Sequence, residues 1–156
     1  MPGINILYKK NNNQWIQKFQ MIQGKMLHNE NYEAEILEIS TDIIIGKTNY
    51  KKYPILTIHD KNFTIILEGE IYNKTSTRIQ NELKTLARKL SNDYFSYLQK
   101  FIFDSDGDFI VVIFDKVNKH LFVFNDIFGR LPLYYYKSKD SFIVSRELKF
   151  ITYFCK

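Results

Sequence analysis

Ile55 to His59 and Phe63 to Leu67 are two short apolar runs rich in β-branched residues, held apart by Asp60-Lys61-Asn62. Aspartate and asparagine tolerate tight-turn backbone, so the pattern predicts a β-hairpin. A second hairpin is written the same way: Phe109 to Asp115, then Lys116-Val117-Asn118-Lys119, then His120 to Asn125. Strands joined by such short turns must run antiparallel, which constrains the fold more than any other feature of the chain.

Helical signals stand between and around these hairpins. Ile4 to Tyr8 reads as a first strand, and Asn11-Asn12-Asn13 breaks it. Trp15, Phe19, Ile22 and Met26 then recur at steps of four, three and four, the stripe of an amphipathic helix. Tyr32 to Ile39 and Asp42 to Gly46 are strand-like. Leu83, Leu86, Ala87 and Leu90 mark a second helix, with Ser76 or Thr77 as its cap. Beyond a turn at Phe128-Gly129-Arg130 come strands at Leu133 to Tyr136 and Ser141 to Val144. Ser145 is placed to cap a last helical turn through Arg146, Glu147, Leu148 and Lys149. Helices interspersed with antiparallel hairpins give an α+β chain.

At 156 residues, with no internal repeat or linker, one domain over 1–156 is expected. A hydrophobic content of 45% and aromatic content of 16% exclude a disordered chain. The formal net charge of +5 is mild and scattered, a solubility feature first and a weak hint of an acidic partner second. Lys47, Lys51, Lys52 and Lys61, and Arg78, Lys84, Arg88 and Lys89, read as solvated faces without a nucleic-acid motif, so no nucleic acid is expected. Cys155 is the sole cysteine, which rules out an intrachain disulfide. Neither a signal peptide nor a membrane-length apolar run is visible, and a cytoplasmic protein is expected. His28, His59 and His120 lack ligand spacing. Asp104, Asp106, Asp108 and Asp115 loosely suggest a calcium loop, but Phe109 stands where its sharp turn requires glycine. No metal and no cofactor are expected.

Two strings carry a resemblance: Leu67-Glu68-Gly69-Glu70-Ile71-Tyr72-Asn73, and Asn125-Asp126-Ile127-Phe128-Gly129-Arg130-Leu131-Pro132-Leu133-Tyr134-Tyr135-Tyr136. With Asp140 to Lys149 and the opening Met1-Pro2-Gly3-Ile4, they resemble the glutaminase half of asparagine synthetases. These are class II (type 2) glutamine amidotransferases of the N-terminal-nucleophile hydrolase fold. The resemblance implies a four-layer αββα sandwich of two antiparallel sheets.

It also implies a site, and this chain departs from it. Pro2 stands where the family carries its nucleophilic cysteine, and proline has no side-chain nucleophile. Glu68-Gly69 replaces the Asn-Gly pair of the oxyanion hole; Gly69 can still offer its N–H, but an ionised Glu68 repels an oxyanion. The arginine that clamps the glutamine carboxylate is expected near Gly46-Lys47-Thr48, where Lys47 offers only a point charge. The acidic loop for the glutamine amine is shortened to Ser76-Thr77-Arg78, without its aspartate. The expectation is a pseudoenzyme whose degenerate pocket comprises Lys47, Glu68, Gly69 and Glu70. The family's Ser-Gly-Gly-x-Asp-Ser ATP loop is absent from these residues. A binding or scaffolding role toward a separately encoded ATP-dependent synthetase is therefore expected. The alternative is changed chemistry on another small molecule, using a Pro2 amine exposed by methionine removal with Glu68 and Glu70.

Overall fold

The computed structural model describes residues 2–9, 12–90 and 94–155, the side chains at 12, 13 and 94 excepted; Met1, whose removal the Pro2 amine requires, and Asn11 of the strand-breaking triplet lie outside them. In chain order the strands are β1 (Gly3–Lys9), β2 (Tyr32–Ile39), β3 (Ile43–Tyr50), β4 (Ile55–His59), β5 (Phe63–Ile71), β6 (Gly107–Asp115), β7 (His120–Asn125), β8 (Tyr134–Lys137) and β9 (Ser141–Ser145). The α-helices are α1 (Ile16–Gly24), α2 (Ser76–Lys89), α3 (Tyr94–Phe103) and α4 (Leu148–Phe154), with a 3-10 turn at Asn12–Trp15. The fold is α+β, as expected. Its strands form two antiparallel sheets, and the chain divides into two compact units, Met1–Tyr53 with Pro132–Lys156, and Pro54–Leu131.

The first unit is a five-stranded sheet in the order β2-β3-β1-β9-β8, with α1 and α4 on one face. Leu7, Ile44 and Ile143 from the sheet meet Phe19, Ile22 and Met26, three residues of the predicted stripe, and Phe150 and Ile151 of α4. Trp15, the fourth, packs at the margin of this core. Burial of each such side chain contributes about 1.5–3 kcal/mol, which is what holds short helices on the sheet. Phe19 meets Phe150 edge-on with ring centroids 5.2 Å apart. Glycine at position 46 permits this approach, since a Cβ there would collide with Gln23 and Phe19. The buried Gln23 amide donates to Lys47 O at 3.1 Å, satisfying itself across the interface of helix and sheet.

The second unit is a four-stranded sheet in the order β4-β5-β6-β7 with α2 and α3 on one face. Ile65, Leu67, Val111 and Ile113 pack there against Leu83, Leu86 and Phe101. The Asp60 turn forms as expected: its Oδ1 accepts from Asn62 N and Phe63 N, each at 2.7 Å. Asp115 does the same at the second hairpin, toward Val117 N and Asn118 N.

Two local expectations are corrected, and one helix is added. The cap of α2 is Thr75, whose extended backbone places it just outside the helix, while Ser76 and Thr77 lie within. Ser145 belongs to β9 rather than capping 146–149; the final helix starts at Leu148, and the Ser145 hydroxyl accepts from Glu147 N at 2.9 Å while donating to Asn5 Oδ1 at 2.8 Å. The sequence pattern assigns no element to α3, because its aromatic residues carry strand propensity and expose Phe95, Tyr97 and Phe103 as well as burying Phe101.

Candidate functional site

In the first unit the start of β1 is set by its register with β3: Gly3 stands opposite Thr48 and Ile4 opposite Lys47. Pro2 immediately precedes this pairing. The Lys47 ammonium lies 2.9 Å from the Glu35 carboxylate of β2, so its charge is already engaged within the sheet. On the helix-facing side, Asn5 Nδ2 donates to Thr48 Oγ1 at 3.2 Å, and Ser145 Oγ donates to Asn5 Oδ1. Asn5, Thr48 and Ser145 are buried, and they tie β1, β3 and β9 together at this end. Arg146 is buried beside them in sequence and donates through Nη1 to Pro132 O at 2.6 Å.

Glu68, Gly69 and Glu70 lie in the second unit, on β5. Glu68 pairs in register with Ile55 and Ile110 and is wholly buried. Glu70, opposite Asp108, is exposed. Gly69 holds φ +89°, and a Cβ there would collide with Asp108 O and stand 2.9 Å from Leu131 Cδ1. Its N–H donates to Pro54 O at 2.8 Å. The Gly69 amide, expected to be on offer to an oxyanion, is thus engaged with the chain itself.

A second cluster joins the two strings that carry the resemblance. Tyr72 OH donates to Asp108 Oδ2 at 2.9 Å, and Arg130 Nη1 donates to Asp108 Oδ1 at 2.8 Å. Asp126 holds the turn before Arg130, accepting from Phe128 N at 2.9 Å and Arg130 N at 3.2 Å. The Arg130 guanidinium also lies over the Phe128 ring, 4.8 Å from its centroid. The hydrogen bonds from Arg130 and then Tyr72 hold the Asp108 carboxyl below the usual carboxylate range. The bond to Asp108 raises the Tyr72 hydroxyl, and the same carboxylate raises Arg130. Tyr72 and Arg130 stand within the quoted strings, but Asp108 stands outside both. Pairing of β5 with β6 is what brings it between them.

Below Asn73 the chain buries a charge. Lys74, with its side chain 1% exposed, donates to Glu82 Oε2 at 2.6 Å and to Ser105 Oγ at 2.8 Å. Arg78 Nε reaches Glu82 Oε1 at 2.7 Å. Burial pushes the Glu82 carboxyl up, but the hydrogen bonds from Lys74 and Arg78 outweigh it and leave it lowered. Beside this cluster a cleft of about 450 Å³ opens between α2 and α3, walled by Arg78, Asn81, Tyr97, Lys100 and Asp104. Among the described residues no group of three or more His, Cys, Asp or Glu could hold a metal ion. His28 Nε2 lies 3.3 Å from Glu147 Oε2, and Cys155 is exposed. No helix among the described residues is long and apolar enough to cross a membrane.

No curated protein matches this chain. The family model for the glutamine amidotransferase domain matches residues 40–153, from the turn after β2 into α4. That span holds Glu68 to Asn73, Asp108 and the whole Asn125 to Tyr136 string. With most of its length matched, the chain belongs to the family of glutamine amidotransferase domains.

Proposed function

We propose that this glutamine amidotransferase domain is catalytically inactive, is of the asparagine synthetase-like type, and serves as a binding or scaffolding subunit for a separately encoded ATP-dependent amide-forming synthetase. The observation that carries the reading is the Gly69 N–H, which donates to Pro54 O at 2.8 Å. Acyl transfer from glutamine needs preorganised donors aimed at the developing oxyanion, and removing one such donor typically costs about a hundredfold or more in rate. Here the backbone donor is engaged and the side chain before it is the carboxylic acid of Glu68. Lys47, in the region where a carboxylate clamp is expected, is neutralised by Glu35. Pro2 adds no thiolate. The contacts that hold the fold are by contrast fully made, from the Asp126 turn to the Tyr72, Asp108 and Arg130 cluster. Loss of chemistry with retention of a surface is what a docking subunit requires.

Glutamate release from glutamine, assayed on the purified protein beside a Pro2→Cys variant with its methionine removed, tests the inactivity. No activity in either is expected. Activity of the native protein would overturn the reading. Activity of the variant alone would show that Gly69 and Glu68 still permit catalysis and that the nucleophile alone was lost. The scaffolding half is tested by co-purification at native concentration. Recovery of an amide-forming, ATP-dependent enzyme supports it, and recovery of the chain without one removes it.

A further inference from the structure

We propose that the first unit binds a phosphorylated small molecule of nucleotide size in a groove beside the β8–β9 hairpin. The groove encloses about 550 Å³, within the range of ligand sites, and is lined by Tyr8, Lys9, Lys137, Ser138, Lys139 and Phe142. Asp140 and Ser141 complete it. Three ammonium groups against one carboxylate leave the groove positive, and none of Lys9, Lys137 and Lys139 has an ion-pair partner among the described residues. A single carboxylate ligand would satisfy one of them; a di- or triphosphate matches the set, and lysine binds phosphate as a point charge.

The groove is built rather than incidental. Ser138 N donates to Ser141 O at 2.9 Å, and the Ser138 hydroxyl accepts from Ser141 N at 3.1 Å and Asp140 N at 3.3 Å. These bonds fix the turn, with Lys137 just before it and Lys139 within it. Phe142 stands in register between Tyr8 of β1 and Lys137 of β8, so an aromatic pair and an ammonium lie side by side across three strands. Flat aromatic surface next to cationic charge is what a base joined to a phosphate chain presents itself to.

An independent observation points the same way. A smaller recess of about 220 Å³, walled by Trp15, Tyr136 and Phe154, shares Lys9, Ser138 and Ser141 with the groove. Trp15 Nε1 is itself buried without a hydrogen-bond acceptor among the described residues. A buried N–H left unpaired is unfavourable and rare in folded proteins. A phosphate oxygen in the recess would supply the acceptor. Lys9 meanwhile rests over the Trp15 ring, 4.3 Å from its centroid, and can swing from the ring to an anion.

Trp15 is the sole tryptophan, so its fluorescence reports this site directly. The experiment titrates the full chain with ATP, pyrophosphate and adenosine, exciting at the red edge of the indole band and repeating each titration by calorimetry. Saturable binding of ATP with a change at Trp15, and none with adenosine, is expected. The exposed pair Lys137→Ala with Lys139→Ala should weaken ATP by about tenfold or more without lowering the unfolding temperature. Lys51→Ala with Lys61→Ala, which removes equal charge elsewhere, should leave binding intact. Absence of heat with both ATP and pyrophosphate, an unaffected hairpin variant, or equal loss in the control variant would each overturn the proposal. Pyrophosphate bound as tightly as ATP would overturn the aromatic half of it. None of these outcomes bears on the scaffolding reading, on which this site does not rest.

Discussion

The Gly69 amide donates to the Pro54 carbonyl at 2.8 Å, extending the β4–β5 ladder one step past the Ile55 and Glu68 pair. To make that bond the backbone at Gly69 adopts φ +89°, with Asp108 O pressed where a side chain would begin. One glycine thus serves two purposes: it lets β5 run on to Ile71, and it engages its own N–H within the ladder.

Substituting that glycine separates backbone strain from collision. Gly69→Ala should cost roughly 2–4 kcal/mol, combining a left-handed backbone with a clash against strand β6 that cannot relax. Gly129 also holds a positive φ, +62°, but nothing lies within 4 Å of its would-be Cβ. Gly129→Ala should cost only about 1 kcal/mol. Urea unfolding of both variants checks the contrast; equal losses would mean that the Asp108 contact does not bind the strands.

Asp108 should leave its mark on the acid limb of the stability curve. Its folded carboxyl is lowered by Arg130 and Tyr72, so its contribution is complete above the usual carboxylate range and fades as pH falls through the folded value. Asp108→Asn should therefore flatten stability against pH in that acid window. Tyr72 is raised, chiefly by the same carboxylate, so its contribution holds below the ordinary tyrosine range and fades as pH climbs through its folded value. Spectroscopic titration, with Tyr72→Phe as the difference, should show the Tyr72 hydroxyl moving back down in Asp108→Asn. A titration that does not move would remove the hydrogen bond from the account.

The pair Lys74 and Glu82 should respond unequally to its two halves. Lys74→Met replaces a buried ammonium by an apolar chain of like length and leaves Glu82, 31% exposed, still held by Arg78. Glu82→Gln leaves the ammonium buried with Ser105 and the Phe101 ring as neutral company. The second change should cost more, by roughly 1–3 kcal/mol. Thermal unfolding of both variants and the double variant closes the cycle.

Much of the fold was legible in the sequence because its signals are local. Phe19, Ile22 and Met26 repeat at helical spacing and do face the sheet; Tyr32–Ile39, Ile55–His59 and His120–Asn125 begin and end where their turn residues say. Strand ends that depend on a partner were harder. β3 runs on through Lys47, Thr48 and Asn49, polar residues that give no strand signal, because β1 and β2 pair with them on both sides. β5 runs on past Leu67 because β6 pairs with it as far as Ile71 and glycine at 69 permits the backbone that pairing requires. Helix α3 is aromatic enough to read as strand, and its contacts with α2 and the sheet decide otherwise.

By itself the sequence determined the hairpins, the first helix, the α+β class and the family, since these follow from periodicity and from strings of adjacent residues. It also named Pro2, Lys47, Glu68, Gly69 and Glu70 by position. Tertiary structure decided what each of them is doing. Whether the Gly69 N–H is available depends on Pro54, whether Lys47 carries a usable charge depends on Glu35, and Asp108 gains its meaning from Tyr72 and Arg130. Each of those partners lies far along the chain, and a hydrogen bond between distant residues is fixed by strand register and turn geometry, which no local pattern of residue types encodes.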